Sequence, residues 1–170
     1  VEVIDRKKTG RYQTLISFLN IAHQKLLQAE VASPRLDAEI LMAENLNISR
    51  AELMTYPGRL LTCVEADNFF SKIERRVLRE PVSHITGIKE FWSLEFSVNE
   101  KVLTPRPETE ILVDQCLKAL GKNSSPVRIL DLGSGSGILA IVLAKEVPHS
   151  QITAIEKSTL EVARKNALRH

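Results

Sequence analysis

The feature that most constrains the fold is a glycine-rich stretch between two apolar segments near the end of the sequence. Residues 127–132 read VRILDL, residues 133–137 read GSGSG, and an apolar, helix-like segment follows. A short apolar run predicts a buried strand, and the next two segments, QITAIE and STLEVARKNALRH, predict a second strand and a helix. This strand–helix–strand–helix order predicts a doubly wound α/β arrangement.

The glycines also predict a ligand site. Glycines permit a tight bend and a close approach to the main chain, and a helix N-terminus offers free N–H groups. The second predicted strand ends at Glu156, about 20 residues beyond the glycines, which is the separation expected for an acid that binds ribose hydroxyls. The alternative interpretation is a glycine-rich turn without a ligand, as any α/β protein can have.

The glycine spacing distinguishes between nucleotide-type ligands. The dinucleotide fingerprint needs a glycine where this chain has Ile138, and no Gly-Lys-Ser/Thr follows, which excludes a P-loop. Instead, Asp-Leu-Gly-Ser-Gly-Ser-Gly resembles the first motif of class I methyltransferases, which bind S-adenosylmethionine. An acid at this position suits the methionine ammonium of that cofactor. The predicted cofactor-binding residues are Asp131, Gly133, Ser134, Gly135, Ser136, Gly137 and Glu156.

Composition narrows the class of protein. The chain has 170 residues and a formal net charge of +2, which argues against a general nucleic-acid binder. Cys63 and Cys116 match no metal-ligand spacing, so no metal is predicted, and they indicate reduced thiols in a cytoplasmic protein. No apolar stretch approaches the roughly 20 residues of a membrane span, and the first residues do not resemble a secretory signal.

The first half of the chain predicts a small helical bundle. Apolar residues recur at helical spacing over residues 11–31. A second helix is predicted from Ser33 as N-cap and Pro34 as first residue, with Leu36, Ile40 and Ala43 on its inner face. The capping-box patterns SRAE and TCVE begin two more helices.

The pattern changes to period two in FWSLEFSVN, where Trp92, Leu94, Phe96 and Val98 alternate with polar residues. This alternation predicts a strand whose hairpin partner is the preceding HITGIKE. The prolines of TPRPETE interrupt regular structure. A helix with Ile111, Leu112 and Cys116 on its apolar side is predicted next.

Residues 79–114 resemble the linker of the PrmC/HemK family, and SPRLDAEILMAENL resembles its second helical region. The resemblance implies an α+α/β chain with three parts: a helical substrate-recognition domain over residues 1–85, a β-hairpin linker over 86–104, and the start of a Rossmann-like, S-adenosylmethionine-binding domain over 105–170, which is incomplete. The family more often has Asp where this chain has Glu156.

The resemblance also implies an activity. The family uses S-adenosylmethionine to methylate a glutamine side-chain amide in class I peptide chain release factors, its partners. Its Asn-Pro-Pro-Tyr motif does not occur in this sequence, so no catalytic residue is predicted here and the motif is expected beyond His170. We therefore expect an inactive N-terminal portion, monomeric, without direct nucleic-acid or membrane binding.

Two alternatives remain open from the sequence. A nucleic-acid adenine-N6 methyltransferase shares the cofactor fold, but needs a basic, aromatic-bearing surface that 5% aromatic residues do not indicate. The third hypothesis makes residues 1–85 a non-catalytic helical protein-binding module.

Other residues have two interpretations each. Glu108 and Glu110 resemble a carboxylate pair, but favour a helix N-terminus through its dipole. Arg106 is either a substrate contact or solvent-facing. Phe91 and Trp92 can wall a cofactor pocket, although the alternation favours a core position for Trp92. His84 is interpreted as structural, and a helix C-terminus explains Arg75, Arg76 and Arg79, with a release-factor contact as the alternative.

Overall fold

The computed structural model describes residues 14–121 and 126–170. Within the described residues, five α-helices form the first unit. The chain divides into two units between Thr86 and Gly87. The helices of the first unit are α1 (Leu15–Gln28), α2 (Pro34–Leu46), α3 (Arg50–Thr55), α4 (Cys63–Val77) and α5 (Val82–Thr86). The predicted start of α1 at residue 11 lies outside the described residues.

Three predicted helix starts of this unit, those of α2, α3 and α4, are confirmed. Ser49 and Thr62 form complete capping boxes, in which the Ser49 Oγ accepts from the Glu52 amide at 3.1 Å and the Thr62 Oγ1 from the Glu65 amide at 3.2 Å. Helix α2 begins at Pro34 as predicted, although the Ser33 side chain makes no capping hydrogen bond.

The predicted inner face of α2 is partly wrong. Ala43 is buried, but Leu36 is 42% exposed, and Ala38, Leu41 and Met42 are fully buried instead. Helix α2 contacts four other helices, α1, α3, α4 and α5. Side chains on more than one face of α2 are therefore buried.

The second unit holds a hairpin and an α/β segment. Its elements are β1 (Ile88–Phe91), β2 (Leu94–Ser97), α6 (Thr109–Leu120), β3 (Val127–Leu132), α7 (Ile138–Glu146), β4 (Ser150–Ile155) and α8 (Leu160–Arg169). Strands β1 and β2 pair antiparallel, and β3 and β4 pair parallel. The predicted fold class is confirmed, whereas the division at 85 and 104 stays a prediction.

The hairpin turns at a different place from the one predicted. Phe91 pairs with Leu94, so Trp92 and Ser93 form the turn, with φ of 51° and 58°. Two left-handed residues are what a two-residue hairpin turn requires. Such a turn usually contains Asn or Gly, and neither residue type is present here to indicate it. The prediction of Trp92 within a strand was therefore wrong.

One face of the β3–β4 sheet is uncovered within the described residues. Leu130, Leu132 and Ile155 are 58%, 70% and 52% exposed. The apolar run of β3 is typical of a strand covered on both faces, but within the described residues α7 packs against the sheet and the face that carries Leu130 and Leu132 stays exposed.

Helix α6 also differs from the prediction. Ile111 and Leu112 are 61% and 50% exposed, and Cys116 is half-buried, whereas Val113 is fully buried. Val113 packs in the same apolar cluster as Phe91, Phe96 and Val142.

Candidate functional site

The glycine turn lies between β3 and α7. Gly133, Gly135 and Gly137 have φ of 75°, 55° and 78°, a conformation that other residues adopt only with strain. A Cβ at Gly133 or Gly135 would meet no atom within 4 Å, whereas one at Gly137 would lie 3.3 Å from the Ala163 Cβ. The first two glycines therefore face open space, and the third permits close packing against α8.

Most amides of this turn are not free, contrary to expectation. Strand β4 runs parallel to β3, so its last residues lie against the turn. Four turn amides have partners: Gly133 and Ser134 donate to the Ile155 carbonyl at 2.8 and 3.1 Å, Gly135 donates to the Glu156 Oε2 at 2.7 Å, and Gly137 donates to the Ser134 carbonyl at 2.8 Å.

Glu156 binds the turn through its carboxylate. Its Oε1 accepts from the Lys157 and Ser158 amides, both at 2.9 Å. The hydrogen bonds from the Ser158 and Gly135 amides lower the pKa of Glu156 to about 2, so the carboxylate is ionised at neutral pH. The sequence STLE at residues 158–161 also has the pattern of a capping box, but this interpretation is wrong, because α8 begins after Thr159 and Ser158 interacts with Glu156 instead.

Asp131 and Ser134 carry unpaired polar atoms. Within the described part of the chain, the buried Asp131 Oδ2 and Ser134 Oγ have no hydrogen-bond partner. Burial raises the pKa of Asp131, against a backbone hydrogen bond from Ala140 that lowers it. A buried acceptor without a donor is costly, and such sites are often completed by a ligand.

The structure also brings in residues that the sequence analysis missed. The Thr159 Oγ1 donates to the Gly135 carbonyl at 3.1 Å, and the Asn166 Nδ2 donates to the Ser136 carbonyl at 2.9 Å. Ser136 is 4% exposed and Asn166 is fully buried. The signal for Asn166 was its type, because Asn is a poor residue for a helix interior without a specific partner.

The arrangement has a defined chemical capacity. Asp131, the glycine turn and Glu156 follow or end two neighbouring parallel strands, at the edge where open parallel sheets bind ligands. One buried carboxyl group, open space over two glycines and one ionised carboxylate suit a ligand that carries both a cation and hydroxyl groups.

The aromatic candidates have other contacts. Phe91 is 2% exposed and its ring centroid lies 6.5 Å from that of Phe96, in the apolar cluster. Trp92 is half-buried at the hairpin turn, where its amide donates to the Glu110 Oε1 at 3.0 Å and its indole N–H to the Glu146 Oε1 at 2.8 Å. Glu110 therefore binds the hairpin turn in addition to lying in the first turn of α6.

The remaining charged candidates are either exposed or bind partners other than the glycine turn, Asp131 and Glu156. Arg106 and Glu108 are exposed. In the first unit, Arg75 binds the Glu80 carboxylate, Arg76 binds the Asp37 carboxylate and Arg79 donates to the Glu30 carbonyl. His84 is half-buried.

The part of the chain that the structure describes shows neither a cluster of metal ligands nor a helix that could span a membrane. Among residues 14–121 and 126–170, no three His, Cys, Asp or Glu side chains cluster as metal ligands. In the same ranges, no helix combines the length and apolar character that a bilayer span requires.

Comparison with known families gives two matches. Residues 17–87 match the model of the PrmC N-terminal domain, and residues 108–170 match that of the methyltransferase small domain. The second match contains the whole glycine turn and Glu156.

Curated relatives give a consistent picture. The chain is 42% identical over 158 residues to a release factor glutamine methyltransferase of Koribacter versatilis, covering 92% of this chain and 56% of the relative. The chain is 44% identical over 153 residues to a release factor glutamine methyltransferase of Coxiella burnetii, covering 89% of this chain and 54% of the relative. A bifunctional methyltransferase of Rickettsia bellii is 37% identical over 180 residues, covering 90% of this chain and 32% of the relative. The chain spans about half the length of the first two relatives.

Proposed function

This chain belongs to the family of the release factor glutamine methyltransferases, and on that premise we propose that its glycine turn, Asp131 and Glu156 bind S-adenosylmethionine. The observation that carries the proposal is the buried Asp131 Oδ2, which has no hydrogen-bond partner within the described residues and lies beside an open glycine turn. When bound, S-adenosylmethionine supplies a methyl group on a sulfonium. The residues of this chain bind and orient that cofactor.

The methionine part of the cofactor suits Asp131 and the first two glycines. An ammonium group supplies donors and a positive charge to the Asp131 carboxyl group, whose pKa is raised by burial. The open space at Gly133 and Gly135 allows the cofactor to approach the main chain. Ser134 and Ser136 complete the turn, and the unpaired Ser134 Oγ offers a further polar contact.

The ribose suits Glu156. Its Oε1 accepts from the Lys157 and Ser158 amides and from the Ser158 hydroxyl, so Oε2, which accepts from the Gly135 amide, is the oxygen that suits a ribose hydroxyl. Because the group stays ionised, it accepts a hydrogen bond from a ribose hydroxyl without a change of protonation. The same backbone bonds orient the carboxylate before the cofactor binds, which lowers the entropy lost on binding.

The reaction follows from the family. We propose that the substrate is a glutamine side-chain amide of a class I peptide chain release factor, and that the helical first unit takes part in its recognition. An amide nitrogen is a weak nucleophile, so its methylation depends on proximity and orientation to the methyl group. We assign no catalytic residue within this chain.

A location and an assembly state accompany this function. The two cysteines are unpaired, Cys63 being exposed and Cys116 half-buried, as is typical of a reducing compartment. The free thiols support the proposal that the protein acts in the cytoplasm, and we propose separately that it is a monomer, as the family resemblance implies.

A chimeric enzyme tests the proposed activity. The region of the Coxiella burnetii relative that matches this chain is replaced by this sequence, and transfer of tritiated methyl groups from S-adenosylmethionine to a class I release factor is measured. We expect transfer to the release factor and none to DNA tested in parallel. Glu156→Ala in the chimera should abolish transfer, and Lys118→Ala, which removes an exposed ion pair in α6, is the matched control. Methylation of DNA alone would contradict the proposal.

A further inference from the structure

One buried carboxamide joins the glycine turn to the hairpin. Asn166, in α8, is fully buried and uses both ends of its side chain. Its Oδ1 accepts from the Ser97 amide at 2.7 Å, and its Nδ2 donates to the carbonyls of Ser97 at 3.0 Å and Ser136 at 2.9 Å. Both N–H groups of the carboxamide therefore have acceptors.

The Ser136 carbonyl needs such a partner. It lies between Gly135 and Gly137, whose lack of side chains leaves the intervening peptide few steric limits. A peptide group is planar, so fixing the Ser136 carbonyl also fixes the direction of the Gly137 N–H. That N–H donates to the Ser134 carbonyl and closes the turn.

The other end of the carboxamide binds a second element. Ser97 is the last residue of β2, and Asn166 contacts its N–H and its carbonyl as a neighbouring strand would. Arg169 of α8 also binds the Glu95 carboxylate of β2. The hairpin strand and the glycine turn are thereby bound to the same helix.

We propose that Asn166 is a positioning residue of the cofactor site, which holds the Ser136–Gly137 peptide in its binding conformation and ties it to β2. This inference rests on the proposed binding of S-adenosylmethionine. It assigns the residue no contact with the cofactor. Asn166 keeps Gly135 and its neighbours in one backbone conformation. The cofactor then binds a turn that is already in the binding conformation, and less free energy is lost in ordering it.

Two substitutions separate positioning from general stability. Asn166→Asp keeps the acceptor for the Ser97 amide and loses both donated hydrogen bonds, and Asn166→Ala removes the whole group. The control Val113→Ala creates a cavity in the apolar cluster of the same unit without touching the turn. Binding of S-adenosylmethionine to the chain is measured by nuclear magnetic resonance titration, at a temperature where all variants are folded.

We expect both Asn166 variants to bind S-adenosylmethionine about tenfold more weakly, because about 1.4 kcal/mol, the loss expected for one buried carbonyl left unpaired, corresponds to that factor. Val113→Ala should bind as the unaltered chain does. Asn166 variants that fold and bind with unchanged affinity overturn the inference. No binding by the unaltered chain overturns the proposed function and the inference with it, so the two failures are distinguishable.

A measurement on the unaltered chain covers the case in which the Asn166 variants do not fold. The two carboxamide protons of Asn166 should exchange slowly with solvent, and their resonances should move when S-adenosylmethionine is added. Carboxamide resonances that exchange rapidly, or that stay in place while the glycine amides shift, overturn the inference.

Discussion

In the first unit, the buried carboxylates of Asp37 and Glu39 bind arginine side chains, whereas in the second unit the buried Asp131 Oδ2 has no partner within the described residues. Burial acts to raise the pKa of Glu39, but hydrogen bonds from Arg50 and Arg35 hold it below its ordinary value. For Asp131, burial prevails and the pKa is raised. The first arrangement stabilises a fold, and the second leaves a group available to a ligand.

The apolar residues show the same contrast. Phe69, Leu41 and Ile73 are fully buried in a core shared by the helices of the first unit. In the second unit, Leu130 and Leu132 lie exposed on the uncovered face of the sheet. Substitutions in matched pairs, one in each unit, therefore sharpen or break this comparison.

The largest expected effect is on the core of the first unit. Phe69→Ala should lower the free energy of unfolding by about 3–5 kcal/mol, because it removes a large buried side chain and leaves a cavity. Leu132→Ala, at a side chain 70% exposed, should change it by less than about 0.5 kcal/mol. Urea unfolding measures both, and equal costs would contradict the contrast between the two units.

The next effect concerns ion pairs. Asp37→Asn should lower the free energy of unfolding by about 2 kcal/mol, because it removes the charge of the carboxylate whose Oδ2 lies 2.7 Å from the Nε of the mostly buried Arg76. Asp114→Asn breaks the exposed pair with Lys118 in α6 and should cost less than about 0.5 kcal/mol. Thermal unfolding of the two variants measures both losses of stability. A larger loss for Asp114→Asn than for Asp37→Asn would show that burial does not control the contribution of these ion pairs to stability.

Helix capping gives a smaller difference. Thr62→Ala removes both hydrogen bonds of the Thr62 hydroxyl, with the Glu65 amide and with the Glu65 carboxylate, and should lower the free energy of unfolding by about 1 kcal/mol. Ser158→Ala should cost less than about 0.5 kcal/mol, because the Ser158 side chain caps no helix and lies 3.3 Å from the Glu156 Oε1. Urea midpoints compare the two, and a Ser158→Ala variant as unstable as Thr62→Ala would mean that α8 is capped there.

The smallest effect depends on pH. The pKa of Glu156 falls from 4.5 to about 2 on folding, so its ionised form contributes stability above pH 4.5 that is lost as the pH falls toward 2. The difference in urea midpoint between the unaltered chain and Glu156→Gln should be constant near neutral pH and shrink in acid. A difference that grows in acid would show that the carboxylate is not held by the backbone amides.

Local signals in the sequence predicted much of the fold, whereas the residues that they assign to the cofactor site stay a prediction. The capping boxes at Ser49 and Thr62 depend on adjacent residues, and the parallel strands follow from continuous apolar runs. The turn at Trp92 and Ser93 was missed because its left-handed conformation is maintained with contacts to Glu110 and Glu146, which are distant in sequence. Asn166 was missed for the same reason, since its partners lie 69 and 30 residues away.

The exposed apolar residues illustrate another limit. Periodicity shows that Leu130, Ile111 and Leu112 can be buried, but not which neighbours are present to bury them. The pairing of the turn amides with Ile155 and Glu156 likewise depends on the register of two strands, which no local pattern specifies.

A titration of the 170-residue chain with S-adenosylmethionine, followed at each backbone amide by nuclear magnetic resonance, tests the central claim most directly. The account predicts that the amides of residues 133–137 and 156–158 shift together, and that Asp131→Asn and Glu156→Gln each weaken this response about tenfold or more, as expected for loss of a charged contact. Shifts confined to the helical unit, or no shift in the glycine turn at saturating cofactor, would contradict it.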